Sequence, residues 1–205
     1  NFNINKKFFL NNQKNLKQLI KKKTEIIKSL SSDYKSSYDK KIIFRKYKRY
    51  KEIRLIGMGG SILRAKAIYS YLHHKIKKKF YFIDNLNSNL SFKSKKNFLN
   101  IVISKSGNTL ETVSNFNILK NKKDKNIFIT ENKKNYLRLL AQKLKSEIIN
   151  HNNFIGGRYS VLSEVGMLPA ELMGLKPASF KQLNQIIKNK TFLNSLVNNV
   201  GSIVS

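Results

Sequence analysis

The sequence predicts an α/β protein, a doubly wound sheet of five parallel strands with helices on both faces, preceded by a helical N-terminal extension. Three observations predict it. From residue 52 to about 150, apolar β-branched runs alternate with segments of helical periodicity, joined by short connections. That is the pattern of a parallel sheet built by crossovers. The runs are apolar nearly throughout rather than at every second residue, as expected of strands covered on both faces. Two strand-to-helix junctions, 57–61 and 104–109, are rich in glycine and hydroxyl residues, and ligands of such sheets bind beyond the carboxyl ends of the strands.

The elements follow in order. Residues 11–31 read as one amphipathic helix, with Leu16, Leu19, Ile20, Ile26, Ile27 and Leu30 on a stripe among lysines. Residues 32–50 are polar and basic, with tyrosines at 34, 38, 47 and 50, and read as a connector with a short extended piece at Ile42, Ile43 and Phe44. The first strand covers Ile53 to Ile56, and a helix with Ile62, Ala65, Ile68 and Leu72 on its apolar side follows. A second strand runs from Phe80 to Asp84; a polar helix or loop over 88–96 leads to a third at 99–104. A helix over 109–120, a strand over 126–130, a helix over about 134–145 and a short strand over 147–149 complete the alternation. A loop from His151 to Tyr159 precedes a helix over about 160–173, which Pro169 should kink or break. Residues 178–189 read as a further helix.

The stretch 101–112, Ile-Val-Ile-Ser-Lys-Ser-Gly-Asn-Thr-Leu-Glu-Thr, carries most chemical content. A strand delivers Ser104, Ser106 and Thr109 to the mouth of a helix, where free N–H groups and the positive dipole end suit an anion. Gly107 lets the backbone approach. The spacing of a Walker loop is absent. Two readings remain at this level: a phosphate cradle, or a junction whose hydroxyls merely cap the helix. The turn Gly57-Met58-Gly59-Gly60-Ser61 is a glycine-rich strand-to-helix junction of the same kind, without the third glycine of a dinucleotide fingerprint. In the third stretch, Gly156-Gly157-Arg158-Tyr159-Ser160, paired glycines set an arginine before a helix, where its guanidinium can hold negative charge in a fixed geometry.

Composition narrows the classes. At 205 residues the chain holds one good-sized core, or part of a larger protein. With no cysteine, disulfide and thiolate chemistry are excluded. No apolar run approaches the length of a membrane helix, and no signal-peptide pattern opens the chain. The first residue is Asn1 and the last ten residues form an apolar segment without a stop signal, so the chain reads as a fragment. A net charge of +30 is a general pointer to nucleic acid or an acidic surface. Here the lysines are spread over the whole chain, alongside abundant asparagine and isoleucine, the residues of AT-rich codons. No basic stripe with interleaved aromatics and no zinc-ligand set is present, so neither a specific nucleic-acid partner nor a membrane partner is expected. No His/Asp/Glu cluster has metal-ligand spacing, and His73, His74 and His151 sit in no motif.

In order and spacing, these three stretches resemble the glucose-6-phosphate isomerase family. Residues 57–61 resemble its GxGGS turn, 103–112 its ISKSGxTxE phosphate loop, and 156–160 its GGRxS signature. The likeness spans about 52–175 and identifies that part with the family's first sugar-isomerase (SIS) domain. The resemblance implies a flavodoxin-like sheet and an aldose–ketose isomerisation through a cis-enediol(ate), with no cofactor. It implies that Ser104, Ser106 and Thr109 bind the sugar phosphate with the Lys105 backbone assisting. Gly60, Ser61, Gly157 and Glu111 would line the pocket, and Arg158 would act catalytically by stabilising the enediolate. It further implies a base glutamate, a ring-opening histidine and a lysine beyond residue 205, so this chain would hold a half-site. Glu164 falls where the family usually has a small residue, either a surface change or a packing change beside Arg158.

The expected organisation is a helical extension over 1–50, a sugar-phosphate-binding SIS domain over 51–175 and the helical start of a linker over 176–205. The resemblance also implies a homodimer at work in the cytoplasm. Alternatives are a bifunctional glucose/mannose-6-phosphate isomerase and a non-catalytic SIS module that senses a sugar phosphate.

Overall fold

The computed structural model describes residues 6–86 and 97–204; the helix or loop expected over 88–96 lies outside the described residues. The chain forms two compact units, one of Lys35–Pro177 and one of Asn1–Tyr34 with Ala178–Ser205.

In the helical unit, α1 (Lys6–Lys21) and α2 (Glu25–Ser29) divide the segment expected to be one helix. The break is at Lys23, whose φ of 44° leaves the helical region, and Thr24 then caps α2.

The sheet unit begins with α3 (Lys40–Tyr47), where the sequence pointed to an extended piece. Asp39 accepts from the Ile42 N–H as N-cap, and Ile43 and Tyr47, four residues apart, bury one face. The apolar pair at 42–43 therefore marks a helix and not a strand. Then come β1 (Glu52–Gly57), a 3-10 turn over Gly59–Ser61, α4 (Leu63–Leu72), β2 (Lys79–Ile83), β3 (Leu99–Ile103), α5 (Leu110–Leu119), β4 (Lys125–Thr130), α6 (Tyr136–Lys143) and β5 (Glu147–Asn150). The five strands are all parallel in the order β2-β1-β3-β4-β5. This is the doubly wound parallel sheet that the alternation predicted, in the flavodoxin-like order that the resemblance implied.

Period two decides what each face carries. Ile56, Val102 and Phe128 stand in register on one face and pack with Phe116, Leu119, Leu137 and Ala141 of α5 and α6. The rings of Phe116 and Phe128 meet edge-to-face at 5.1 Å. Leu55, Ile101 and Ile127 stand in register on the other face, and all three are fully buried.

Beyond β5, the single helix expected over 160–173 is two elements: a 3-10 segment over Gly157–Leu162 and α7 (Glu164–Leu172). The extended backbone of Ser163 separates them. Pro169 does not end α7, which continues through it to Leu172. Gly166 explains the tight junction, because a Cβ there would overlap the Val161 carbonyl. Past a 3-10 turn over Pro177–Phe180, the helix expected over 178–189 is reduced to α8 (Leu183–Ile186), and α9 (Lys190–Val204) packs on α1 within the helical unit.

Candidate functional site

The strand order reverses direction between β1 and β3, and a crevice opens at such a switch point beyond the carboxyl ends. Gly57, the last residue of β1, stands opposite Ile103, the last of β3. The glycine turn and the hydroxyl loop therefore leave the sheet side by side. A Cβ on Gly57 would lie 2.9 Å from the Ile103 carbonyl oxygen, which is why the turn starts with glycine.

The hydroxyl loop is shaped by its own side chains. The hydroxyls of Ser104 and Thr109 are 2.8 Å apart, and the Gly107 N–H donates to Ser104 Oγ at 3.1 Å. The Asn108 N–H donates to Ser106 Oγ at 3.3 Å. Thr109 occupies the N-cap of α5, yet its hydroxyl makes no capping bond to the helix. The capping reading of these hydroxyls thus fails at Thr109: its oxygen is spent on Ser104, and the first-turn N–H groups of α5 face the loop uncapped by it. Ser104 is buried, Thr109 half-buried and Ser106 exposed. Glu111, in the first turn of α5, is half-buried.

Asn135 supports this loop and stands out in no sequence motif. Its buried amide donates to Thr130 Oγ1 and to the Lys133 carbonyl, and its Oδ1 caps α6 by accepting from the Arg138 N–H. Gly107 packs against it with φ of 71°, and a Cβ at that glycine would overlap the Asn135 side chain. The one signal available beforehand was an asparagine directly before a helix.

Lys105 turns its side chain away from the hydroxyl loop. Its ammonium donates to the Asn153 carbonyl at 2.8 Å and pairs with Glu131 at 3.4 Å. It ties the hydroxyl loop to the segment that leads from β5 to the arginine, while its carbonyl accepts from the Glu131 N–H at 3.1 Å beside the end of β4.

The arginine segment lies against the glycine turn. A Cβ on Gly60 would sit 2.5 Å from the Gly157 carbonyl oxygen. The Ser160 hydroxyl, fully buried, donates back to the same carbonyl at 2.8 Å, and the Ser163 hydroxyl donates to the Ser160 carbonyl at 2.8 Å. The serine of the GGRYS stretch therefore shapes the loop. Arg158 is exposed at its apex, and Arg64 of α4 donates from Nη2 to the Arg158 carbonyl. The structure thus brings the turn holding Gly60 and Ser61 against Gly157, and sets Ser104, Ser106 and Thr109 on the neighbouring strand end.

His151 is buried behind this loop, and burial pushes its pKa below the usual imidazole range. Its Nδ1 lies 2.9 Å from the Asn152 carbonyl, an acceptor only, so the neutral ring carries its proton there. Glu164 is 2% exposed, which rules out a surface change. Its Oε1 accepts from the Ser37 N–H at 3.3 Å, anchoring the segment before α3, while the Ser37 hydroxyl donates to the Asn150 carbonyl at 2.6 Å.

The family model for phosphoglucose isomerase matches residues 3–195, nearly the whole chain. The chain belongs to the phosphoglucose isomerase family. Curated relatives agree. A glucose-6-phosphate isomerase of Methanocaldococcus jannaschii is 33% identical over 186 residues, covering 80% of this chain and 45% of the relative. That of Acholeplasma laidlawii is 32% identical over 206 residues, covering 83% and 48%. The chain spans about half the length of the curated relatives it matches. Among solved structures, a hypothetical protein of Thermus thermophilus superposes with a TM-score of 0.64 at 21% identity, covering 83% of this chain and 45% of that one. The tagatose-6-phosphate ketose/aldose isomerase of Escherichia coli gives 0.57 at 14% identity, covering 80% and 47%. At those identities the likeness is one of fold, and it is the sheet described above.

Proposed function

We propose that this chain carries the phosphate-binding and arginine-bearing half of a glucose-6-phosphate isomerase active site. The observation that supports the reading is the packing of Gly60 on Gly157 together with the Ser104–Thr109 hydroxyl pair at the neighbouring strand end, which suits an anion beside an exposed arginine. In this reading the sugar phosphate rests on Ser106, the Ser104 and Thr109 hydroxyls, the Lys105 backbone and the first-turn N–H groups of α5. Gly60, Ser61, Gly157 and Glu111 line the pocket.

The reaction is the reversible conversion of glucose 6-phosphate to fructose 6-phosphate. A base takes the proton from C2 of the open-chain aldose, and the electron pair moves through C1–C2 to the carbonyl oxygen, giving a cis-enediolate. Moving the O2 hydroxyl proton to O1 and returning the carbon proton to C1 completes the ketose, with its carbonyl at C2. Arg158 stabilises the oxygen charge that develops between the two proton transfers. No residue described here supplies the base, so the chain should bind without turning over. We place the whole enzyme in the cytoplasm, as a homodimer serving glycolysis and gluconeogenesis. Among the described residues, no helix is long and apolar enough to cross a membrane.

The test is titration with 6-phosphogluconate, an open-chain anion, at physiological salt. A charge-assisted hydrogen bond contributes about 1.5–3 kcal/mol, so Ser106→Ala and Arg158→Ala should each weaken saturable binding about 10- to 150-fold. Equal affinity in all three proteins, fading only with salt, contradicts the proposal.

A further inference from the structure

Arg64 is placed where its charge does not help its own helix. It lies in the first turn of α4, where the positive end of the helix dipole opposes a cation. Among the described residues no carboxylate pairs with it, and its Nε is buried without an acceptor, an arrangement that costs stability. What it does have is the bond from Nη2 to the backbone carbonyl of Arg158.

That carbonyl belongs to the peptide after the Arg158 Cα. The peptide before it ends in the Gly157 carbonyl, which the Ser160 hydroxyl holds and against which Gly60 rests. Peptide units are planar, so anchoring the two that flank a Cα sets its φ and ψ and the direction of its Cα–Cβ bond. Within the loop, the Ser160 hydroxyl holds the incoming peptide, and the Tyr159 N–H, which donates to the Gly156 carbonyl at 2.9 Å, holds one edge of the outgoing one. Arg64 holds the opposite edge, the Arg158 carbonyl, from outside the loop. The exposed Arg158 side chain thus departs from a backbone clamped on both sides.

We propose that Arg64 is a positioning residue for Arg158: it holds the carbonyl edge of the outgoing peptide from outside the arginine loop, completes the clamp that the loop begins, and so aims the Arg158 guanidinium into the crevice. The proposal rests on the sugar-phosphate reading above and adds to it a residue outside all three motifs. Arg64 acts through Arg158 and not on the phosphate, which is held by the loop after β3.

A double-mutant cycle on the full chain separates this from a merely structural role. Binding of 6-phosphogluconate and of inorganic phosphate is measured at physiological salt for the native chain, Arg64→Met, Arg158→Ala and the double variant, with Ser106→Ala as reference. Arg64→Met should weaken 6-phosphogluconate about 3- to 30-fold, within the range of coupling between residues in contact. It should leave inorganic phosphate unchanged and cost nothing further in the Arg158→Ala background. Should Arg64→Met not fold, Arg64→Gln, shorter and uncharged, runs the same cycle with the same expectation. Native affinity in the Arg64 variant, an equal loss in both backgrounds, or an equal loss for inorganic phosphate overturns the proposal alone. Native-like binding by Ser106→Ala overturns the sugar-phosphate reading and the proposal with it.

Discussion

Gly59 and Gly60 are neighbours in one turn, and the structure gives them different reasons to be glycine. At Gly60, an added Cβ would lie 2.5 Å from the Gly157 carbonyl oxygen, about 0.9 Å inside the 3.4 Å at which ordinary contact begins. Both partners are backbone, so no flexible side-chain end can yield, and the arginine loop must move by most of that distance. At Gly59 a Cβ meets nothing within 4 Å, but φ is 50°. Gly59→Ala therefore costs about 1–2 kcal/mol of backbone strain and displaces nothing. Gly60→Ala costs about 1–3 kcal/mol as overpacking. The stabilities of the two variants should accordingly fall together, while their ligand affinities separate. A shift near 1 Å removes Arg158 from its contact, a loss of about 1.5–3 kcal/mol, or about 10- to 150-fold in affinity. Urea unfolding and 6-phosphogluconate titration of both variants make the comparison. Equal affinities for Gly59→Ala and Gly60→Ala would refute the reasoning that the glycine turn sets the arginine loop.

Three further predictions follow from other parts of the sheet unit. Lys105→Met should leave 6-phosphogluconate affinity within about fivefold of native, since the ammonium is engaged by Asn153 and Glu131 in a half-buried pair and not by the hydroxyl loop, and losing it costs affinity only indirectly, about 1 kcal/mol or less; a loss as large as that of Ser106→Ala would put the side chain on the phosphate. Burial holds His151 neutral, outweighing the upward pull of the Asn152 carbonyl, Glu164 and Glu131, and Lys105 adds to the lowering. Its folded pKa therefore lies below the unfolded value of about 6.5, the unfolded chain binds the extra proton, and stability present above that pH falls as the solution is acidified. Between pH 7.5 and 5.0 the urea midpoint of the native chain should drop more than that of His151→Asn; equal drops would contradict the assignment. Asp124→Ala removes the carboxylate that accepts from Arg54 at 3.2 Å, Asn100 at 3.3 Å and the Phe98 N–H at 3.0 Å, all buried. The loss should be about 3–5 kcal/mol by denaturant unfolding; a loss below about 1 kcal/mol would show that the network contributes little.

The strands and their parallel order were legible because apolar β-branched runs allow few other readings, and the loops of the site were legible because glycine and hydroxyl residues interrupt those runs. What stayed hidden depended on a distant partner or on a rare conformation. Lys23 adopts a positive φ without being glycine or asparagine, so nothing in the lysine run over 21–23 marks the break between α1 and α2. Ile42, Ile43 and Phe44 look like a strand, and only the Asp39 cap and the burial of Ile43 and Tyr47 make the segment a helix. Arg54 reads as an oddity inside an apolar strand; its acceptor, Asp124, lies 70 residues away at the foot of β4. Asn135 and Arg64 stand in no motif, yet the first shapes the hydroxyl loop and the second touches the arginine loop. Glu164 departs from the family pattern because it binds the segment around Ser37, which the sequence placed in a connector.

The proposed anion-binding crevice lies between the loops after β1, β3 and β5. Amide chemical shifts of the isotope-labelled chain, recorded through a 6-phosphogluconate titration at physiological salt, test it most directly. Saturable shifts concentrated at 57–61, 104–112 and 156–160, with a common dissociation constant, and their loss in Ser106→Ala are expected. Shifts scattered over the lysine-rich surface without a common saturation point would contradict it.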